Sequence, residues 1–191
     1  MNAVELLKKY QVGVKDFSRV NLAGAVLSKI DLSQINFCQA ILTEVDLTET
    51  NLELANLSQA TLDLSNLSEA KLTQADLKLA SLKSALLYKT SCANAKLQKA
   101  NLTQAIMKRA FLRESDLTQA RLVGTDLTQA NLIDANLTGA DLTQANLSKA
   151  FLQGANLYQA NLTGVNLEDA VLTGATMPNG KLYNSAVSNE Q

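Results

Sequence analysis

Histidine and tryptophan are absent from this chain of 191 residues, which also has only 2 cysteines and 1 proline. The missing histidine removes the commonest general base and the usual partner of a serine or cysteine nucleophile. Two cysteines without histidine argue against a zinc site. No glycine-rich phosphate loop or paired-carboxylate motif stands apart from the rest of the sequence. We therefore predict no catalytic residue, no cofactor site and no metal site.

Long apolar runs are missing as well. No segment approaches the roughly 18 apolar residues of a membrane span, and the N-terminus has no apolar stretch of the signal-peptide kind. We expect a soluble cytoplasmic protein. Apolar residues make up 47% of the chain but aromatic residues only 4%, which predicts a thin aliphatic core.

A leucine, or a close substitute, recurs at every fifth position from Phe17 to Leu172 without one insertion or deletion. The 32 positions of this series hold 28 leucines, and the residue two places earlier is alanine in 21 cases. The remaining positions hold Phe17, Phe37, Cys92 and Met107. Each pentapeptide unit therefore carries one large apolar residue and, in most units, one small residue before it.

Neither an α-helix nor a straight strand can use a period of five. On a helix each such step turns roughly 500°, which would scatter the leucines around the axis. On a strand an odd step places successive leucines on opposite faces. Only a chain that turns a corner in every unit keeps all of them inside, so the sequence predicts one continuous solenoid.

The tandem pattern Ala-(Asp/Asn)-Leu-x-x resembles the pentapeptide repeat proteins, which are numerous in cyanobacteria. Units such as Ala55-Asn56-Leu57-Ser58-Gln59 carry this resemblance through most of the chain. The resemblance implies an all-β fold: a right-handed, four-sided β-helix with one pentapeptide per side. About eight coils at the ~4.8 Å spacing of strands would form a rod roughly 39 Å long.

The two ends of the chain differ from its middle. The segment from Asn2 to Glu5 has the pattern of a capping box that opens a short helix. The family often shows such a helix and a closing Met-Pro-Asn/Asp-Gly segment, which begins here at Met177. We expect an N-terminal α-helical cap over residues 1–14, a β-helix over 15–177, and a C-terminal cap with a frayed tail over 178–191. Because both ends would then be closed, we expect a monomer that does not pair end to end.

Six of the 8 glycines occupy the same place in the repeat, two positions after the leucine. A glycine confined to one turn position indicates a positive φ there, as a type II turn requires. We therefore predict type II turns at these glycines. The sequence does not predict the turn type at corners without glycine. The six are Gly24, Gly124, Gly139, Gly154, Gly164 and Gly174.

Charge is segregated along the chain although its total is only −1. Residues 31–70 carry seven acids and no base, for −7, and residues 71–121 carry ten bases and three acids, for +7. Residues 122–191 carry −4 and residues 1–30 carry +3. This distribution is either drift on a solvated surface or a basic belt that meets an acidic partner.

Two groups of outward residues are candidate partner-binding surfaces. Corresponding residues of successive coils should stack in a four-sided rod, so Leu86 would lie beneath Ile106 and Lys89 beneath Arg109. Exposed apolar residues beside stacked like charges are locally unfavourable unless something covers them, although imperfect repeats with tolerated apolar exposure would look the same. The first group is Leu86, Tyr88, Lys89, Ile106, Lys108 and Arg109, and the second, on another side, is Phe111, Ile133, Phe151 and Val171.

These features favour a non-enzymatic protein-interaction scaffold whose protein partner is unknown, and the basic belt would suit an acidic one. The alternative is a DNA mimic that inhibits DNA gyrase or another topoisomerase, as some pentapeptide repeat proteins do. Such mimicry needs a mostly acidic rod, and the near-zero net charge and basic middle of this chain count against it. Direct nucleic-acid binding is a weaker option, because the sequence pI is about 5.5 and aromatic residues are sparse.

Overall fold

The computed structural model describes residues 1–184 and opens with one helix, α1, over Ala3–Gln11. The Asn2 side chain caps α1 by accepting a hydrogen bond from the Glu5 backbone N–H at 2.9 Å. Leu6 on the inner face of α1 is completely buried. Gly13 then leaves the helix with φ 95°, and its N–H donates to the Tyr10 carbonyl at 3.0 Å. The helix therefore lies against the first coil with its apolar face inward.

The remaining described chain is a solenoid in which each coil consists of four pentapeptide units. Parallel bridges join corresponding residues of successive coils in an almost unbroken series, from Asp16↔Asn36 to Asn156↔Thr176. Each bridge involves a single residue on either coil, so the walls of the rod are ladders of isolated bridges rather than extended strands. This is the four-unit register that the resemblance to pentapeptide repeat proteins implies.

The four walls can be named by their first residues. Side A begins with residues 15–19, side B with 20–24, side C with 25–29 and side D with 30–34, and each side continues with the corresponding unit of every later coil. Within a unit the first and third residues point inward, and the second residue carries the bridge. The fourth and fifth residues form the corner. Sides C and D are therefore neighbours that share the edge formed by the fifth residues of side C.

Every corner of the rod has the same backbone geometry. The fifth residue of each unit has a positive φ whether or not it is glycine, from Arg19 at 58° to Asp169 at 56°. The predicted positive φ at the glycines is confirmed, but glycine does not mark a special corner. A side chain at positive φ costs roughly 1–2 kcal/mol. Hydrogen bonds between coils offset that cost, as where Gln59 N–H donates to the Lys78 carbonyl at 2.8 Å.

The second residue of the unit stabilises the corner that follows it. When it is Asn or Asp, its side-chain oxygen accepts a hydrogen bond from the backbone N–H two positions later. Asn131 Oδ1 accepts from Ile133 N–H at 3.1 Å, and Asp46 Oδ1 accepts from Thr48 N–H at 3.0 Å. This bond gives a folding reason for the Asp/Asn of the repeat, independent of any function.

The core is a continuous column of leucines flanked by alanines. Where a polar residue replaces alanine, its hydroxyl donates to a backbone carbonyl inside the rod, as Thr125 does to Leu102 at 2.8 Å. Phe17 and Phe37 pack near the N-terminal end with ring centroids 6.3 Å apart. The buried polar residues are Thr50, Ser65, Thr90, Ser115 and Thr125.

The C-terminal end is less closed than the N-terminal end. Residues 177–180 make a turn in which Gly180 N–H donates to the Met177 carbonyl at 2.8 Å, and Leu182 then pairs antiparallel with Thr176. The core residues of the last coil that are only partly buried are Leu162, Val165, Leu167 and Ala170. The tail predicted to be frayed, residues 185–191, lies outside the described residues. The described residues contain no helix with the length and apolar character of a membrane span.

Candidate interaction surfaces

The first predicted group of residues lies together on side C, and we call it the basic surface: Leu86, Tyr88, Lys89, Ile106, Lys108 and Arg109. Leu86 and Ile106 are bridge partners on adjacent coils, and they are 39% and 40% exposed. Lys89, Lys108 and Arg109 are exposed around them, and Tyr88 is half-buried. Two outward apolar residues are thus stacked in the middle of a positively charged border.

Leu86 and Ile106 occupy positions where Asn or Asp would stabilise the corner. On the same side, the second residues of five other coils accept the corner hydrogen bond at 2.9–3.1 Å. A leucine or isoleucine side chain has no acceptor to offer. Folding therefore favours a polar residue at both places, and the apolar residues need another explanation. The acceptors are Asp46, Asn66, Asp126, Asn146 and Asn166.

The charges of the basic surface reach toward neighbouring coils. Lys89 Nζ lies 3.8 Å from Glu69 in the coil below, and it is 5.1 Å from the ring centroid of Tyr88. Arg109 reaches the other way, with its Nε donating to Gln129 Oε1 at 2.8 Å. The repulsion expected between stacked Lys89 and Arg109 is thus relieved, because each side chain extends away from the other.

The two charges at this corner differ in their neighbours, because Lys108 is paired with an aspartate and Arg109 is not paired with any described carboxylate. Lys108 Nζ lies 3.2 Å from Asp126 Oδ2. Burial acts to raise the pKa of Asp126, but hydrogen bonds from Thr128 and Lys108 outweigh it, so this pKa lies below the usual aspartate value. Within residues 1–184, no carboxylate lies within ion-pair distance of Arg109. Arg109 is therefore the positive charge of this surface that is available to a partner.

The second predicted group, which we call the aromatic surface, lies on side D and consists of Phe111, Ile133, Phe151 and Val171. Phe111 and Phe151 are 50% and 43% exposed, with Asn131 bridged between them. Ile133 and Val171 are half-buried. The rings of Phe111 and Phe151 are therefore two coils apart rather than in direct contact.

A charged cluster borders the aromatic surface. Arg113 Nε lies 3.0 Å from Glu114, and its Nη2 lies 3.7 Å from Asp134. Phe111 is also close in sequence to the basic surface, because Arg109 forms the edge between sides C and D. The two candidate surfaces are thus on neighbouring walls that meet at Arg109.

The two cysteines are separate and do not form a disulfide with each other. Cys92 is buried in the leucine column, and burial raises the pKa of its thiol to about 12. Cys38 is half-buried and accepts a hydrogen bond from the Ser58 hydroxyl at 3.4 Å. No group of three or more metal-ligating side chains that could hold an ion is found in the described part of the chain.

Comparison with protein families identifies the repeat. The profile described as pentapeptide repeats matches the sequence in 8 copies, over ranges that begin with 16–53 and end with 150–185. The chain belongs to the pentapeptide repeat family. Its solved relatives include proteins of the same family from cyanobacteria. A comparison with curated proteins found no match.

Three solved structures illustrate the range of proteins that are similar to this chain. HetL, involved in heterocyst differentiation regulation in Nostoc sp. strain PCC 7120, is 33% identical over 96% of this chain and 100% of its own, with a TM-score of 0.40. Rfr23 from Cyanothece 51142 is 26% identical over 88% and 97%, with a TM-score of 0.39. A trypsin-treated variant of QnrB1, a plasmid-mediated fluoroquinolone resistance protein, is 15% identical over 82% and 91%, with a TM-score of 0.55.

The edge between sides C and D of this pentapeptide repeat chain has a charge pattern that the linear sequence hides. It carries a charged residue at seven of its eight corners, whereas glutamine or glycine is common at the other edges. Taking the fifth residue of every fourth unit would have revealed it. The edge consists of Lys29, Glu49, Glu69, Lys89, Arg109, Gln129, Lys149 and Asp169.

Proposed function

We propose that this pentapeptide repeat chain is a non-enzymatic protein-interaction scaffold whose basic surface docks an acidic protein partner. The observation that carries the proposal is the replacement of the corner-stabilising Asn or Asp by Leu86 and Ile106 on two adjacent coils. Both replacements give up a hydrogen-bond acceptor and expose apolar area. A partner that covers the pair offsets both costs.

The composition of the basic surface supports this interpretation. Protein interfaces combine an apolar centre with a polar rim, and tyrosine and arginine are enriched where binding energy concentrates. Leu86 and Ile106 supply the centre, and Tyr88 and Arg109 stand beside them. Because Arg109 is held by the neutral Gln129 at 2.8 Å, its guanidinium is oriented yet keeps donors for a carboxylate.

We propose the aromatic surface as a second contact for the same role. Phe111 and Phe151 are second residues of their units on side D. Asn131, at the same position in the coil between them, accepts the corner hydrogen bond. Each phenylalanine therefore gives up the same acceptor that is missing at Leu86 and Ile106. In this role the rod is a rigid, right-handed four-sided support. Residues 1–14 and the described part of the C-terminal cap, residues 178–184, close its ends, so that neither end stacks on another copy.

Charge argues against the DNA-mimic alternative. A mimic must present negative charge along its length, and residues 71–121 carry +7. The likeness to QnrB1 at 15% identity concerns the fold alone. In a gyrase supercoiling assay we therefore expect no inhibition by this chain. Inhibition at micromolar concentration would favour the DNA mimic over the interaction scaffold.

Affinity capture from the native cell tests the scaffold function. Wild-type bait should retrieve a partner that the Lys89→Ser/Arg109→Gln double variant does not. Arg19→Gln is the matched control, because Arg19 Nε donates to Gln39 at 2.8 Å just as Arg109 donates to Gln129, but on side A. Retrieval of the same proteins by wild type and the double variant would show that the basic surface is ordinary solvated surface.

A further inference from the structure

The charges of side C follow a pattern that no other wall repeats. The unit 65–69 carries −1 and the next unit on this side, 85–89, carries +1. One coil further out, 45–49 carries −2 and 105–109 carries +2. One coil further again, 25–29 carries +1 and 125–129 carries −1. Units of side C that lie at equal distances on either side of the point midway between 65–69 and 85–89 therefore carry equal and opposite charges, at each of three successive distances.

Such a wall is electrostatically complementary to its own antiparallel copy. Two identical walls can meet face to face about a two-fold axis that is perpendicular to the rod and lies between the walls. Residues at one position of the repeat then face the same position of the second copy, with the order of the coils reversed. With the axis midway between units 65–69 and 85–89, Glu49 faces Arg109 of the second copy, and Glu69 faces Lys89 of the second copy. Both contacts occur twice by symmetry.

We propose that the acidic partner of the basic surface is a second copy of this chain, bound side C to side C in antiparallel orientation. This inference rests on the proposed function, since it names the occupant of the same surface. It does not depend on the ends of the rod, because the contact is lateral. The monomer expected from closed ends would then be one half of a side-by-side dimer.

Leu86 of the basic surface, though not Ile106, lies beside the two-fold axis of this contact. At a coil spacing of ~4.8 Å, Leu86 lies about 2.4 Å from the axis along the rod. Leu86 and Leu86 of the second copy are then about 4.8 Å apart along the rod, so their side chains can pack across the axis. Tyr88, in the same unit, is equally close. Leu86 and Tyr88 thus form a small apolar centre, with Glu69 and Lys89 of the same two units beside it at the edge between sides C and D.

The ion pairs within the chain are weak enough to be replaced by ion pairs between two copies. Glu49 lies 3.4 Å from Lys29, and Glu69 lies 3.8 Å from Lys89. The carboxylates of both pairs are about half exposed, so the pairs hold their members weakly. Among the described residues, the side chain of Arg109 has only the neutral Gln129 as a hydrogen-bond partner. Closing the contact would give Arg109 a carboxylate, which residues 1–184 of its own chain do not provide.

The other walls do not show this complementarity about the same level of the rod. On side A, unit 95–99 carries +2 but its counterpart 35–39 is neutral. On side B, units 40–44 and 100–104 carry −1 and 0, and on side D, units 50–54 and 110–114 also carry −1 and 0. Side C is therefore the wall that the charges select for self-association.

Paired charge reversals test the proposal. Glu49→Arg places arginine opposite arginine twice in a homodimer, and Arg109→Glu places glutamate opposite glutamate twice. Each variant alone should weaken dimerisation by about 100-fold in analytical ultracentrifugation, because symmetry doubles the repulsion. An equimolar mixture should recover a heterodimer, since both reversed charges then meet an opposite charge on the other variant. Raising the salt from 0.05 to 0.5 M should weaken the wild-type dimer.

Matched controls exclude a general effect of charge. Glu44→Arg and Arg19→Glu make the same changes at the same place in the turn, but on sides B and A. Both should dimerise like wild type. A loss of the dimer in these controls, or a mixture of Glu49→Arg and Arg109→Glu that stays monomeric, would overturn the antiparallel contact.

The outcomes for self-association and for the proposed function can be told apart. A wild-type chain that is monomeric at 100 µM in low salt overturns self-association. If that monomer still captures another protein in an Arg109-dependent way, the scaffold function stands with a different partner. A dimer that survives Lys89→Ser/Arg109→Gln overturns the side C contact, and the capture experiment with the same double variant then decides the proposed function by itself.

Discussion

Asn131 and Leu132 are neighbours with opposite tasks in the coil. Leu132 is completely buried in the leucine column, whereas Asn131 faces outward and accepts a corner hydrogen bond from Ile133 N–H at 3.1 Å. The alternation of an inward leucine and an outward Asn or Asp is the unit from which the whole rod is built. Substitutions at these two positions should therefore have very different effects.

We expect Leu132→Asp to unfold the rod or to lower its melting temperature severely. A carboxylate between stacked coils has neither water nor a partner, and burying an unpaired charge costs several kcal/mol. Asn131→Asp is the control, because aspartate accepts the same corner hydrogen bond at many other units. Circular dichroism melts compare the two. Similar losses in both variants would contradict the assignment of Leu132 to the inside.

Leu86→Asn should stabilise the chain while it weakens binding. The new side chain can accept a hydrogen bond from Tyr88 N–H, as Asn66 does from Ser68 at 3.0 Å, which should contribute about 1 kcal/mol to the free energy of unfolding. The same change removes the apolar centre of the basic surface. Urea unfolding measures the first effect, and capture or dimerisation measures the second. Lower stability with unchanged binding would mean that leucine serves the fold.

Acid should destabilise the rod through its corner aspartates. Hydrogen bonds from Thr48 and Thr143 hold the pKa values of Asp46 and Asp141 below the ordinary aspartate value. A carboxylate with a lowered folded-state pKa stabilises the fold above its unfolded-state pKa, and this stabilisation is lost as the pH falls through the folded-state pKa. The melting temperature should therefore decline below about pH 4.

The double variant Asp46→Asn/Asp141→Asn should make that decline shallower. Asparagine accepts the same backbone hydrogen bond but does not titrate, so the two corners keep their bond in acid. Asn131→Asp is the converse variant and should make the decline steeper. Melting curves between pH 7 and about pH 2.5 decide the matter, and identical pH slopes in all three proteins would rule out the corners as the acid-sensitive element.

The period of five was sufficient to predict the coil, because only corners at every unit keep Leu22, Leu27 and their successors inside. The conformation of the corners was predicted only in part. Glycine revealed the positive φ at six places, but Gln59 or Leu79 gives no such sign, since hydrogen bonds to the next coil impose that conformation on any residue. Leu54, Leu64 and Leu79 are thus exposed corner residues that the sequence did not reveal.

The charges were harder to interpret than the core. Net charge in sequence blocks indicated a basic belt, but neighbours in the rod are four units apart in sequence, so Lys89 and Glu69 fall in different blocks and yet pair. The repulsion predicted between Lys89 and Arg109 depends on the same neighbours, because Lys89 extends to Glu69 in the coil below and Arg109 to Gln129 in the coil above.

The aromatic surface can be tested separately from the basic surface. Phe111→Asn/Phe151→Asn restores two corner acceptors, for Arg113 N–H and Gln153 N–H, and removes two exposed rings. The gain in acceptors should raise the free energy of unfolding by about 1 kcal/mol per corner, less whatever ring packing is lost.

If the aromatic surface is a contact, capture of its partner should fall by at least about 10-fold for each ring that the partner had buried. Side C is unchanged in this variant, so dimerisation through Glu49 and Arg109 should persist. A more stable variant that still captures every protein retrieved by wild type would identify the two phenylalanines as tolerated imperfections of the repeat.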